Sequence, residues 1–377
     1  MQNNFLFDKI IIKPEDIDLS FSPLKKDLDV ETFVLGAFNP GMSRLPNGNI
    51  ILMVRIAEAL QTPIFDNKIH SIRWDIEKGY VLDDYNIDDV DTSDPRSFTL
   101  KAHYPMQVDA LTSISWLLPV ELTTDGREIV KIHYDKIISP SKSYQEYGIE
   151  DARISRIEEK YYMTSCCVSS ERLGTALFTS ENGLDYSLEG IVQDHQNKDM
   201  LLFEGLINDK FYALTRPMGN VYFAAPPQSN YNPGPSINLA ESPDSLHWKP
   251  LDEPFIRPGK SKSTSLKLGG GAQPILTPKG WLVLFHGVEK KGTIGTYRTF
   301  WALLDKDEPW KILHLDMEKP ILTANPELTK QLAEIIYIED VVFTTGIVDH
   351  GDDFIVASGE LDLCSRITHI SKSKFNI

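Results

Sequence analysis

Five apolar, strand-like runs, each entered from a turn, recur along this chain and constrain its fold more than any single motif. They are Ile50–Arg55, Tyr161–Cys166, Phe211–Arg216, Trp281–His286 and Phe354–Gly359. The turns before them are Asn47-Gly48-Asn49, Glu158-Glu159-Lys160, Asn208-Asp209-Lys210, Pro278-Lys279-Gly280 and Gly351-Asp352-Asp353. Short strands bounded by such turns point to an all-β fold in which small sheets repeat radially and leave few exposed edges. Five repeats predict a five-bladed β-propeller, a single domain over residues 1–377 with terminal segments packed on it. At the same phase of three runs stand Arg55, Arg216 and His286. If the strands are equivalent around an axis, these polar heads meet at one mouth; the bland alternative is that each simply ends its strand at solvent.

Charge narrows the partners. With 38 Lys plus Arg against 54 Asp plus Glu, the net charge of −16 repels phosphate backbones and anionic lipid surfaces, so neither nucleic acid nor membrane is expected. A neutral substrate fits better. The acidic stretch from Asp83 to Asp94 reads as a solvated loop, with a cation site as the alternative. Three cysteines, two of them adjacent at Cys166 and Cys167, supply neither a disulfide framework nor zinc-ligand spacing, and no metal or cofactor is predicted. The opening Met1–Lys9 lacks a basic head and a long apolar core, and no stretch reaches spanning length, so a cytoplasmic location is expected.

Helix is scarce. The best candidate starts at Asn325-Pro326-Glu327, where Asn caps and Pro suits the first turn, and runs to about Ile336 as a link between blades. Pro226–Pro235 reads as a long inter-blade loop able to reach over the mouth. There is no GxxxxGK[ST], strand-borne GxGxxG, HExxH or GxSxG. Gly269-Gly270-Gly271 could present N–H groups to an anion, but without a following Lys-Ser/Thr it reads as a tight turn into the fourth blade.

What remains are carboxylates in unusual settings. Glu150 and Asp151, followed by Arg153, stand just before the second run, where an acid beside a cation can be tuned for proton transfer; an Asp capping a turn is the alternative. Glu204 lies in the apolar context Leu201-Leu202-Phe203, where an unpaired carboxylate is costly. Glu171 sits beside Arg172, which also explains it as a surface pair.

These residues bring a family into view. The segments Phe38-Asn39-Pro40-Gly41, Val54-Arg55-Ile56-Ala57-Glu58, Gly148 to Arg153, Asn197-Lys198-Asp199 with Leu202-Phe203, Tyr212 to Pro217, Gly269 to Ile275, Gly280-Trp281 with Phe285-His286-Gly287, and Leu303-Leu304-Asp305 run in order over nearly the whole chain. In these the chain resembles glycoside hydrolase family 130, the β-mannoside phosphorylases and β-mannosidases. The resemblance implies a five-bladed propeller with sugar bound at one end of its axis. It puts Asp151 at the general acid of the family's Glu-Asp-Pro-Arg motif, with Ala152 in place of Pro, and implies proton delivery through a mannose hydroxyl. Asn39, Arg55, Glu150, Arg153, Lys198, Asp199, Arg216, His286, Asp305 and Asp362 fall on segments expected to bind substrate.

The departures direct the functional expectation. Where phosphorylases carry Arg-Asn after the acid motif and Pro-Glu-Lys after the Leu-Phe pair, this chain has Ser170-Glu171 and Glu204-Gly205-Leu206. Carboxylates in place of cations repel phosphate and supply bases for water. The reading is therefore an inverting hydrolase of β-mannosides, preferably β-1,2-linked manno-oligosaccharides, with Asp151 as acid and Glu171 and Glu204 as candidate bases. Two rivals stand beside it: a β-mannoside phosphorylase that rebuilds its phosphate pocket from Arg216, His286, Arg172 or Lys267, and a non-catalytic glycan-binding propeller.

Overall fold

The computed structural model describes residues 5–103, 106–292 and 294–375 and is dominated by β-strands. Twenty of these strands fall into five four-stranded units. The first contains Thr32–Arg44, Ile50–Leu60, Ser113–Leu122 and Ile129–Ile132; the second Gly148–Ile157, Lys160–Val168, Leu173–Ser180 and Ser187–Gln193. The third contains Asn197–Leu202, Phe211–Pro217, Asn238–Ser242 and Lys249–Pro250. The fourth is built on Lys267–Gly270, Gly280–Glu289, Thr296–Leu304 and Ile312–Asp316, with Ile275–Thr277 also on its second strand. In the fifth, Val342–His350, Asp353–Glu360 and Cys364–Ser371 are completed by the N-terminal strand Phe7–Ile12, which pairs antiparallel with Cys364–Ser371. The first two units are joined into one sheet through the single parallel pair Ser115 and Gly148. Gly148 permits that approach, since a Cβ there would lie 2.3 Å from the Ser115 carbonyl oxygen.

Each of the five runs identified in the sequence lies in the second strand of a unit. Ile50 to Val54 are all buried, the pattern of a strand covered on both faces rather than one that alternates. The first strands pack on one another: Thr32–Arg44 on Gly148–Ile157 and Val342–His350, Gly148–Ile157 on Asn197–Leu202, and Asn197–Leu202 on Lys267–Gly270. Between the first and fifth units a core forms from Met42, Leu52, Val54, Trp116, Val348, Ile355 and Ile367, all buried. Each such aliphatic side chain contributes about 1.5–3 kcal/mol by leaving water. Gln273 ties three units together, its amide nitrogen donating to the carbonyls of Met42 at 3.0 Å and Ile347 at 2.8 Å.

Four first strands break register at corresponding places, between Phe38 and Gly41, Glu150 and Arg153, Lys198 and Leu201, and Thr344 and Gly346. At three of these bulges Asn39, Asp151 and Asp199 have φ of 49°, 50° and 56°. Asn and Asp tolerate this left-handed region better than other side-chain-bearing residues, and a bulge re-aims the residue it carries. Gly269, Gly270 and Gly271 do not make the expected turn. Gly269 and Gly270 end a first strand that passes against the Asp199 bulge, where a Cβ on Gly269 would lie 2.4 Å from His286 and 2.5 Å from the Asp199 carboxylate.

Other expectations shift as well. The helix at Asn325 is a single turn, Pro326–Thr329, followed by a 3-10 turn at Lys330–Leu332, although Asn325 does cap it and it does connect the fourth and fifth units. Asp83 to Asp94 is no solvated loop. Two small sheets inserted between Ile50–Leu60 and Ser113–Leu122 absorb it, pairing Asp83 with Arg73 and Asp94 with Arg96. Among the described residues no helix is long and apolar enough to cross a membrane, and all three cysteines are buried and unbridged.

Candidate active site

The starts of the first strands converge on a cavity of about 420 Å³, into which the bulges turn their polar side chains. Asn39, Arg55, Glu150, Asp151, Lys198, Asp199, Arg216 and Asp362 all line it, from five strands and the turn that holds Asp362. Arg55 holds the acid pair together: Nη1 meets Asp151 Oδ1 at 3.1 Å, Nη2 meets Glu150 Oε1 at 2.8 Å, and Nε donates to Ser115 Oγ at 2.9 Å. Its guanidinium also lies over the Phe38 ring, 4.9 Å from the centroid. Lys198 Nζ takes the other Glu150 oxygen at 3.0 Å, and Asn39 Nδ2 donates to Asp151 Oδ1 at 2.8 Å.

Arg153 does not reach the cavity wall. Fully buried behind it, its Nε donates to the Gly271 carbonyl and its Nη1 to the Asp151 carbonyl, both at 2.6 Å, which clamps the bulge instead of binding substrate. Arg216 Nε lies 3.0 Å from Asp199 Oδ2, and Nη1 donates to His286 Nε2 at 3.1 Å. His286 therefore sits one layer behind Arg216, completely buried, while Arg55 and Arg216 reach the mouth together as the repeat argument expects. Lys267 lines the same cavity with its ammonium over the Tyr297 ring at 5.2 Å, and it has no carboxylate within salt-bridge distance among the described residues.

Electrostatics separate these groups sharply. Burial alone would raise the Asp151 carboxyl, but Arg55, Arg153, Lys198 and the Asn39 amide outweigh it and hold it at about 2. Asp362 meets the same burial with weaker compensation from Arg55 and with Asp151 opposing it, and rises to about 6. Burial drives His286 well below its ordinary value, and the charges of Arg216, Lys267 and Arg153 drive it further, so the imidazole is neutral.

Three expected site residues lie elsewhere. Glu171 is exposed in the turn after Lys160–Val168, its only ion pair among the described residues a 3.8 Å contact with Arg172. Arg172 is outside the lining too, its Nη1 donating to the Asp194 carbonyl. Asp305 accepts the backbone N–H groups of Asp307 and Glu308 in an exposed turn. Glu204 opens onto a second cavity lined by Ser43, Arg44, Arg156 and Asp349, where the same first strands end. Asp199 and Glu204 are five residues apart along the chain, roughly 15 Å of extended strand. Pro226–Pro235 contributes nothing to the lining. Residues not anticipated in the sequence do: Asp94, Arg96 and Asp109 from the inserted small sheets, with Tyr297, Tyr337 and Phe343. The Asp94-Pro95-Arg96 step inside the acidic stretch was the available signal.

The acid pair locked by an arginine shares a cavity large enough for a disaccharide with Arg216 and Lys267, and comparison with known proteins places the chain among carbohydrate-active enzymes. The family model described as beta-1,4-mannooligosaccharide phosphorylase matches residues 108–375. A beta-1,2-mannobiose phosphorylase of Listeria innocua is 30% identical over 361 residues, covering 90% of this chain and 92% of that protein. A 1,2-beta-oligomannan phosphorylase of Thermoanaerobacter sp. is 30% identical over 245 residues, 64% of this chain and 74% of that one. The solved structure of the Listeria innocua enzyme in complex with beta-1,2-mannobiose superposes with a TM-score of 0.79 at 27% identity, covering 97% and 96% of the two chains. The chain belongs to glycoside hydrolase family 130.

Proposed function

We propose that this protein is a β-1,2-mannoside phosphorylase, converting a β-1,2-linked manno-oligosaccharide and inorganic phosphate to mannose 1-phosphate and a shortened acceptor. The observation that carries the reading is that Arg216 and Lys267, the former backed by neutral His286, line the same cavity as Asp151. It replaces the hydrolase expectation, because the two glutamates meant to activate water are not in this cavity and the relatives named above are phosphorylases. The linkage follows the Listeria innocua relative, whose solved complex holds β-1,2-mannobiose. In the same reading the five four-stranded units are blades of one five-bladed propeller spanning the chain, its ring closed by the N-terminal strand in the fifth unit.

The chemistry runs from these residues. Phosphate seated on Arg216 and Lys267 attacks the anomeric carbon on the face opposite the leaving group, so the C–O bond to the leaving mannose breaks as the C–O bond to phosphate forms, with inversion. The leaving oxygen takes a proton from Asp151, directly or through a mannose hydroxyl, and the proton released by the phosphate makes good that loss. With Arg55, Arg153 and Lys198 around it Asp151 is ionised. Two negative charges of bound phosphate offset the nearby cations and raise the Asp151 carboxyl, so that phosphate prepares the acid it needs.

The test is to incubate the protein with β-1,2-mannobiose and with β-1,4-mannobiose, with and without phosphate. Phosphate-dependent mannose 1-phosphate from the β-1,2 substrate is expected. Free mannose released at the same rate without phosphate would restore the hydrolase reading.

A further inference from the structure

Behind the bulge that carries Asp151 lies a second, much smaller pocket, walled by Asp151, Ser165, Cys166, Thr175, Lys198 and Asp199. Its volume of about 10 Å³ is close to that of a single water-sized sphere. Thr175, only 2% exposed, lines it on the face of the second unit that it shares with its cross-strand partner Cys166. Thr175 Oγ1 has no hydrogen-bond partner among the described residues. Thr164, also in the lining, is satisfied by donating to the Met200 carbonyl at 2.6 Å. Leaving such a hydroxyl unpaired in the interior is costly, and native proteins meet that cost with ordered water where the walls are polar.

The carboxylates around the pocket have capacity to spare. Asp151 Oδ1 accepts from both Asn39 and Arg55, whereas Oδ2 has no protein donor among the described residues. Asp199 Oδ2 faces Arg216 Nε at 3.0 Å, but the pair is too poorly aligned to count as a hydrogen bond. We propose that this pocket is a built site for an ordered water that bridges the Thr175 hydroxyl to the Asp151 carboxylate, making Thr175 a positioning residue for the acid. The proposal rests on the reading of Asp151 as the acid and adds what supports it from behind. As Asp151 loses its proton to the leaving sugar, the water donates to the oxygen that neither Asn39 nor Arg55 serves.

Thr175→Val removes the hydroxyl at nearly constant volume, and Thr175→Ser keeps it. With the valine, the carboxylate loses a donor, so the alkaline limb of the pH–rate profile moves up and kcat falls about three- to tenfold with KM for mannobiose unchanged. The serine variant and the parent coincide. A high-resolution crystal structure of the parent shows water within hydrogen-bond distance of Thr175 and Asp151. A dry pocket in the parent, or a Thr175→Val profile that superposes on the parent's, overturns the proposal. Should the parent lack phosphorolytic activity, the crystal structure decides alone, which keeps failure of the water site distinct from failure of the functional reading.

Discussion

Asp151 and Glu204 are both carboxylates on or just beyond first strands of this fold, one where those strands start and one where they end, and burial pushes both upward. Their carboxyls nonetheless diverge, Asp151 to about 2 and Glu204 to about 7. Burial acts on each; the difference is company. Asp151 has Arg55, Arg153 and Lys198 around it, while Glu204 has a 3.3 Å hydrogen bond from the Arg156 N–H and the charge of the same arginine. Desolvation unopposed by cations leaves a carboxyl neutral near pH 7, and desolvation overcome by three cations leaves an anion. A local sequence context therefore identifies a buried carboxylate but not its chemistry, since two of the three cations, Arg55 and Lys198, come from other strands.

The comparison is broken most directly at its catalytic end. Asp151→Asn keeps the Asn39 contact and the bulge but removes the transferable proton, and phosphorolysis of β-1,2-mannobiose is expected to fall by about a hundredfold or more. The measurement is the initial rate of mannose 1-phosphate formation, with folding checked by thermal melting. A variant within a few-fold of the parent would strip Asp151 of its role.

A smaller effect is expected where Arg216 and Lys267 line the cavity. Lys267→Met removes a charge there that no carboxylate engages among the described residues, so the KM for phosphate should rise about tenfold while the KM for mannobiose changes little. Arg216 is a poorer probe, because its loss also leaves the Asp199 carboxylate buried without that partner. Equal effects on both Michaelis constants would move the phosphate site away from Lys267.

How much of this was legible in the sequence follows the same division between local and assembled features. The five runs were readable because turn residues and apolar strands are local, and each did prove to be a second strand. Asn39, Arg55, Glu150, Asp151, Lys198, Asp199, Arg216 and Asp362 were found through family segments and do gather at one cavity. What escaped was the bulge in the first strands, visible only once register is known, although Phe38-Asn39-Pro40, Glu150-Asp151-Ala152 and Lys198-Asp199-Met200 recur at the same phase. Glu204 was singled out by its apolar context and its place after the Leu-Phe pair, both local signals, and neither shows that each residue after Asp199 carries the chain about 3 Å along the strand and away from the mouth.

At the non-catalytic end the expected effect is on stability. The Glu204 carboxyl is raised from its ordinary 4.5 to about 7, so the fold favours its neutral form; that contribution is fully present below pH 4.5 and lost as pH rises to 7. The loss is no more than about 3 kcal/mol, and less given the opening to solvent. Glu204→Gln mimics the neutral form. It should raise Tm by a few degrees at pH 8, leave it unchanged at pH 4, and keep phosphorolysis within about twofold of the parent. A Tm gain of equal size at both pH values would mean the side chain acts through packing rather than charge.

The smallest effect is expected at Glu171, and it separates the two functional readings most cleanly. This carboxylate is exposed and among the described residues meets only Arg172, at 3.8 Å, a surface pair worth less than about 1 kcal/mol. If phosphate is the nucleophile, Glu171→Gln should change neither Tm nor the rate of mannose 1-phosphate formation beyond experimental scatter. If water were the nucleophile and Glu171 its base, the same substitution would cost about a hundredfold in mannose release, with substrate binding kept. Because the amide preserves the size of the side chain, a large loss could not be assigned to altered packing. It would mean that the turn after Lys160–Val168 moves over the mouth when sugar binds, and Glu171 would then take the place at the catalytic end that its present position withholds from it.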